Sequence, residues 1–180
     1  MLFRSRSHLQ HLALAALFAA LTAVCSQIQI PLPYIPINLA LFAVHLSGLL
    51  LGSKWAGLAQ LVYLLLGLIG LPVFSSFGSG PAILFGRTGG YIIGYVLCAL
   101  IDGHAYKKDL SYPMLFLHLI LGTLVCYTFG TIWFMFLTKM SLALSLSYCV
   151  LPFLPGDAIK IVLAIVLARR LQKPLAAMGL

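Results

Sequence analysis

The chain has 180 residues, 62% of them hydrophobic and only 8% charged, with a mean hydropathy of +1.09 and a formal net charge of +8. Soluble domains carry about 25% charged residues, so this composition excludes a water-soluble globule and describes an integral membrane protein. The positive charge does not point to nucleic acid, because the 11 basic residues sit singly or in pairs at the ends of apolar segments, without a basic face or a nucleic-acid motif.

A membrane-spanning helix needs about 20 apolar residues, with a range of roughly 17–25. Residues 8–28 predict a first span, read as retained rather than as a cleaved signal segment. It carries small residues at spacing four, Ala15, Ala19 and Ala23 on one line and Ala16 and Ala20 on the next. Such spacing lets helices approach closely in lipid, either as a seam inside the chain or as a docking face for a partner. The proline-rich PLPYIPIN follows, and Asn38 at its end either caps the next helix or offers an amide to a polar ligand. Residues 38–53, with His45, predict a short second span, Lys54 a boundary, and 55–71 a third span.

The segment PVFSSFGSGPAILFGRTGG is too rich in glycine, serine and proline for a lipid-exposed helix. Phe74, Phe77, Phe85 and Tyr91 flank it, either as an interfacial belt or as the walls of a pocket for a compact ring. Arg87 within it reads as a solvated loop charge or as a ligand-facing one. A fourth span is predicted over 89–103. The turn DGHAYKKDLSYP follows, whose Asp102 and Asp109 read as solvated charges near Lys107 and Lys108. Residues 113–138 predict a fifth span, SLALSLSYCVLPFLP a short interfacial or re-entrant piece, and 156–171 a sixth span. There is no internal repeat, and residues 1–180 read as a single membrane domain.

Charge placement fits six spans with both termini cytoplasmic. Eight basic residues (Arg4, Arg6, Lys54, Lys107, Lys108, Arg169, Arg170 and Lys173) then lie inside against two outside, Arg87 and Lys139. The three irregular segments fall together on the outer side, as an outward-facing pocket requires, since non-helical backbone at membrane depth must be satisfied by protein or a water-filled cavity.

The last span opens with LPFLPGDAIK. Proline and glycine interrupt the incoming helix, and Asp157 stands where an N-cap or first-turn residue belongs. Lys160, three residues on, shares its face. An ionisable pair in a span is costly and is by default a functional site; the plainer alternative is a capping aspartate with a snorkelling lysine. His45 and His118 lack ligand-spaced companions and read as core residues, as do Cys25, Cys98, Cys126 and Cys149, which show neither disulfide nor metal spacing. An intramembrane enzyme using Asp157 is disfavoured by the absence of a paired acid, a nucleophile–base motif or a metal-ligand cluster. A structural partner protein would have a closed, empty interior.

Two stretches, GLPVFSSFGSGPAILFGRTGGYIIGY and, further on, LPFLPGDAIKIVLA, closely resemble the BioY family, the biotin-specific substrate-binding (S) subunits of energy-coupling factor (ECF) transporters. The likeness in length and layout covers nearly the whole chain. It implies an all-α bundle of six transmembrane helices that binds biotin at its outer side. It also implies an alanine-rich first helix docking onto a transmembrane coupling protein that bears two ATP-binding subunits, although some members work without a dedicated ATPase. Carried over, Asp157 and Lys160 occupy the family's binding motif, Gly89, Gly90 and Tyr91 its TGGY element, and Ala15, Ala19 and Ala23 its coupling face. One departure is GRTGG where the family more usually has GPTGG, so no role transfers to Arg87.

Biotin's ureido ring offers two N–H donors and a carbonyl, which a carboxylate and an amine on one wall would read. Its apolar rings suit aromatic walls, and its own carboxylate suits Lys160 or Arg87. The expectation is therefore a non-enzymatic biotin-capture subunit of the bacterial cytoplasmic membrane, without cofactor or metal. Its expected binding residues are Asp157, Lys160, Asn38, Tyr91, Arg87, Phe77, Gly89 and Gly90. The alternative is an S subunit for another vitamin such as thiamin or riboflavin.

Overall fold

The computed structural model describes residues 2–106 and 110–177. Its helices are α1 (Leu2–Gln27), α2 (Ala40–Leu68), α3 (Pro81–Leu84), α4 (Gly89–Asp102), α5 (Tyr112–Thr138), α6 (Leu142–Cys149) and α7 (Leu154–Ala177). Short 3-10 turns occupy Ser75–Phe77 and Gly103–Ala105, and β1 (Gln29–Ile30) pairs antiparallel with β2 (Ile37–Asn38). By length and hydropathy α1, α2 and α5 are each able to cross a bilayer, while α6 and α7 are long and apolar enough only when taken together, as a pair bent by 50° at its break.

α2 is two legs rather than one rod. Gly52, at φ 77°, takes a backbone conformation open to glycine and costly for other residues, and the chain doubles back there. Gln60 Nε2 donates to Ser47 Oγ at 3.4 Å, although thirteen residues of straight helix would hold them about 20 Å apart. The stretches predicted as second and third spans are thus two separate helical legs, with the reversal at Gly52 rather than at Lys54. The last span also differs in detail from its expectation. The piece read as interfacial contains α6, capped by Ser141 Oγ accepting from the Leu144 N–H, and α7 begins at Leu154, before the Pro-Gly pair. Proline at the second position of a helix lacks only a donor that has no partner there, so Pro155 starts the helix instead of ending one.

α1 lies along α2. At one end His11 stacks on Trp55, with ring centres 5.4 Å apart, while at the other Ser26 Oγ donates to the Val73 carbonyl at 2.6 Å. Ala15 and Ala19 are each 1% exposed. They share a helical face with Thr22, whose hydroxyl accepts from Gln60 Nε2 at 3.2 Å. The expected coupling line Ala15, Ala19, Ala23 is therefore the internal seam, with Ala23 packed against the same core, and the exposed line is Ala16 and Ala20.

α4 and α5 run antiparallel at close range. A methyl added at Gly90 would stand 3.1 Å from Gly130 Cα, at Gly94 2.9 Å from Cys126 Sγ, and at Gly122 3.1 Å from Cys98 Sγ. Small residues at spacing four on both helices bring the backbones together, as in other membrane helix pairs. All four cysteines are buried free thiols.

Candidate binding site

A cavity of about 260 Å³ opens at the end of the bundle where β1, β2 and the start of α4 meet. That volume is near the lower end for small-molecule pockets, about 300–1,000 Å³. Asn38, Tyr91, Asp157 and Lys160 all line it, together with Tyr63, Tyr95, Tyr127, Phe74 and Phe153. The break between α6 and α7 turns Phe153 inward, and the first turn of α7 presents Asp157 beside it. The Asp157 N–H is already satisfied by the Phe153 carbonyl at 2.8 Å, so its carboxylate is left for side chains.

That carboxylate is the centre of the polar wall. Lys160 Nζ donates to Oδ1 at 2.6 Å and the Tyr127 hydroxyl donates to Oδ2, with Asp157 4% and Lys160 7% exposed. An ammonium has three donors, so Lys160 keeps two after meeting Asp157, and each carboxylate oxygen keeps a lone pair. A donor–acceptor array and aromatic rings thus share one cavity. Asn38 lines the cavity: Oδ1 accepts from the Ala40 N–H at 3.0 Å, and Nδ2 donates to Ser75 Oγ at 2.8 Å. Ser75, Ser76 and Thr88 add hydroxyls nearer the rim.

The remaining expected residues lie outside the wall. Phe77 is 71% exposed, its N–H given to Gln27 Oε1, and Phe85 is likewise exposed. Gly89 and Gly90 are buried backbone contacts: a methyl at Gly89 would collide with the Leu84 carbonyl, and one at Gly90 with Trp133. Arg87 is exposed and places its guanidinium 5.7 Å from the Tyr34 ring centre.

Asp102 corrects its expectation. It is completely buried rather than solvated, and His45 Nδ1 lies 2.6 Å from its Oδ2. His45 Nε2 is 3.2 Å from Thr123 Oγ1, and the same hydroxyl lies 3.0 Å from the Leu119 carbonyl. Cys98 Sγ donates to the same carboxylate oxygen at 3.4 Å. Asp109, Lys107 and Lys108 lie outside the described residues. His45, Cys98 and Asp102 have metal-ligand chemistry. Two ligands of one tetrahedral zinc, however, stand about 3.3 Å apart, and the 2.6 Å between Nδ1 and Oδ2 is a hydrogen-bond distance. Sequence spacing gave no signal for this group, and none for Tyr63, Tyr95 or Tyr127, because tyrosines in apolar helices look like ordinary core.

A membrane bundle with a ring-lined cavity at one end and a buried acid–base pair in its wall belongs to the class of membrane solute-binding proteins. The sequence profile described as the BioY family matches residues 3–177, and the chain belongs to that family. It is 38% identical over 163 residues to the probable biotin transporter BioY of Pyrococcus horikoshii, covering 91% of this chain and 96% of that one. Over 165 residues it is 36% identical to the biotin transporter BioY of Thermotoga maritima, covering 92% and 97%. The crystal structure of the S-component for biotin from an ECF-type ABC transporter superposes with a TM-score of 0.86 at 30% identity, over 93% of both chains.

Proposed function

We propose that this chain captures biotin in the cavity beside α7 and serves as the substrate-binding subunit of a transporter energised by a separate coupling protein and its ATP-binding subunits. The observation that carries this reading is the buried Tyr127–Asp157–Lys160 chain at the wall of a small aromatic cavity. Asp157 accepts the ureido N–H groups, Lys160 donates to the ureido carbonyl, and the tyrosines with Phe74 and Phe153 enclose the rings. The pair is neutral overall, which suits an uncharged head group, and the hydroxyls of Ser75, Ser76 and Thr88 suit a carboxylate tail at the rim.

The charge asymmetry supports a cytoplasmic-membrane protein with both termini inside and the cavity facing out. The exposed Ala16–Ala20 line on α1, rather than the buried Ala15–Ala19 line, is then the docking face for the coupling protein.

Titration calorimetry on the purified full chain tests the site. Asp157→Asn and Lys160→Ala each weaken biotin binding roughly 100-fold or more, the scale of breaking a buried hydrogen-bonded charge pair, while the variants still elute as folded protein. Unchanged affinity in both removes the assignment. Displacement of biotin by thiamin or riboflavin at equal concentration would favour a different vitamin.

A further inference from the structure

We infer that Tyr34 and Arg87 form a clasp that holds the tip of the β1–β2 hairpin against the bundle and thereby sets how slowly a bound guest leaves; this rests on the biotin-binding reading above. β1 and β2 pair over two residues each, and residues 31–36 form the tip between them. Ile35 and Pro36 of this tip line the cavity, with Ile35 5% exposed, so part of the enclosure belongs to the hairpin itself. So short a hairpin has little stability of its own, and its position depends on what it touches.

Tyr34 is not part of the cavity wall. Its ring meets Phe134 of α5 edge-on at 5.9 Å and Tyr148 of α6 at 4.8 Å, and the Arg87 guanidinium lies 5.7 Å from its centre. One side chain thus ties the tip to α5, to α6 and to the segment before α4. Ring pairs at 4.5–7 Å and cations within about 6 Å of a ring are attractive. Moving Ile35 and Pro36 off the cavity carries Tyr34 out of these contacts, so their loss is part of the opening barrier. Arg87 acts through Tyr34 and not on the guest, which gives this exposed arginine a role.

The test is the rate of biotin release from the full chain in lipid nanodiscs, for wild type, Tyr34→Ala, Arg87→Gln and the double variant. Each single change speeds release about three- to tenfold. The double variant releases no faster than Tyr34→Ala, because Arg87 has then lost its ring. Arg87→Gln accelerates biotin and biotinamide equally, since the clasp is indifferent to the tail's charge. Unchanged release from Tyr34→Ala, additive effects in the double variant, or an Arg87→Gln effect confined to biotin would each overturn the clasp, the last by placing the guanidinium on the guest's carboxylate. A wild type that binds no biotin overturns the parent reading and the clasp with it.

Discussion

Asp157 and His45 show two ways in which a membrane bundle keeps charge. Asp157 shares a cavity with its partners, and its remaining lone pairs are available to a guest. His45 and Asp102 are sealed: both are fully buried, and they lie beneath the cavity lining, His45 about one helical turn past Leu41 and Asp102 about two turns past Tyr95. A buried pair is weak evidence for stability, but removing one member strands the other charge. Asp102→Leu alone should therefore lower unfolding stability by about 3–5 kcal/mol, whereas His45→Leu with Asp102→Leu should cost less than the single change. Thermal or denaturant unfolding of detergent-solubilised protein reads this; a double variant less stable than either single one would mean that the pair is net favourable. The Asp157–Lys160 pair was legible because three residues of helix separate its members. The His45–Asp102 pair was not, because 57 residues and two elements do.

Most elements were legible because long apolar runs with proline and glycine punctuation leave few alternatives in lipid. The details that escaped are those decided by contacts across the bundle. Nothing local marks β1 and β2, whose two-residue strands are fixed by the Gln29–Asn38 and Ile30–Ile37 pairing. The α4–α5 seam likewise shows in sequence only as scattered glycines and cysteines, and emerges once Gly90 faces Gly130 and Gly94 faces Cys126. Tyr91, Tyr95, Cys126 and Tyr127, all on these two helices, line the cavity, so the seam sets their spacing. Gly94→Val should push α4 from α5, cost at least the 1–3 kcal/mol typical of overpacking, and weaken biotin binding in the fraction that remains folded. Binding measured beside unfolding separates the two effects; wild-type affinity in that variant would show that the cavity tolerates a wider seam.

At the scale of the whole molecule, the two faces of α1 meet different surroundings. One face, with Ala15, Ala19, Thr22 and Ser26, is buried against this chain's own core. The other carries Leu12, Ala16, Leu17, Ala20 and Val24 to the outside, an apolar surface interrupted by small residues where a second helix can lie close. On the docking reading proposed above, one face serves folding and the other assembly. Ala19→Trp inserts an indole where 1% of the alanine is exposed, so it should prevent correct packing of α1 and yield little folded protein. Ala16→Trp adds the same bulk on the outer face, so folding and biotin affinity should stay at wild-type levels while co-purification with the coupling protein falls several-fold. Pull-down of the coupling protein from membranes co-expressing both chains measures this. Full recovery with Ala16→Trp would move the docking face to another helix. Folded, biotin-binding Ala19→Trp would mean that α1 is free to rotate on α2, and that the internal seam is not what fixes the first helix.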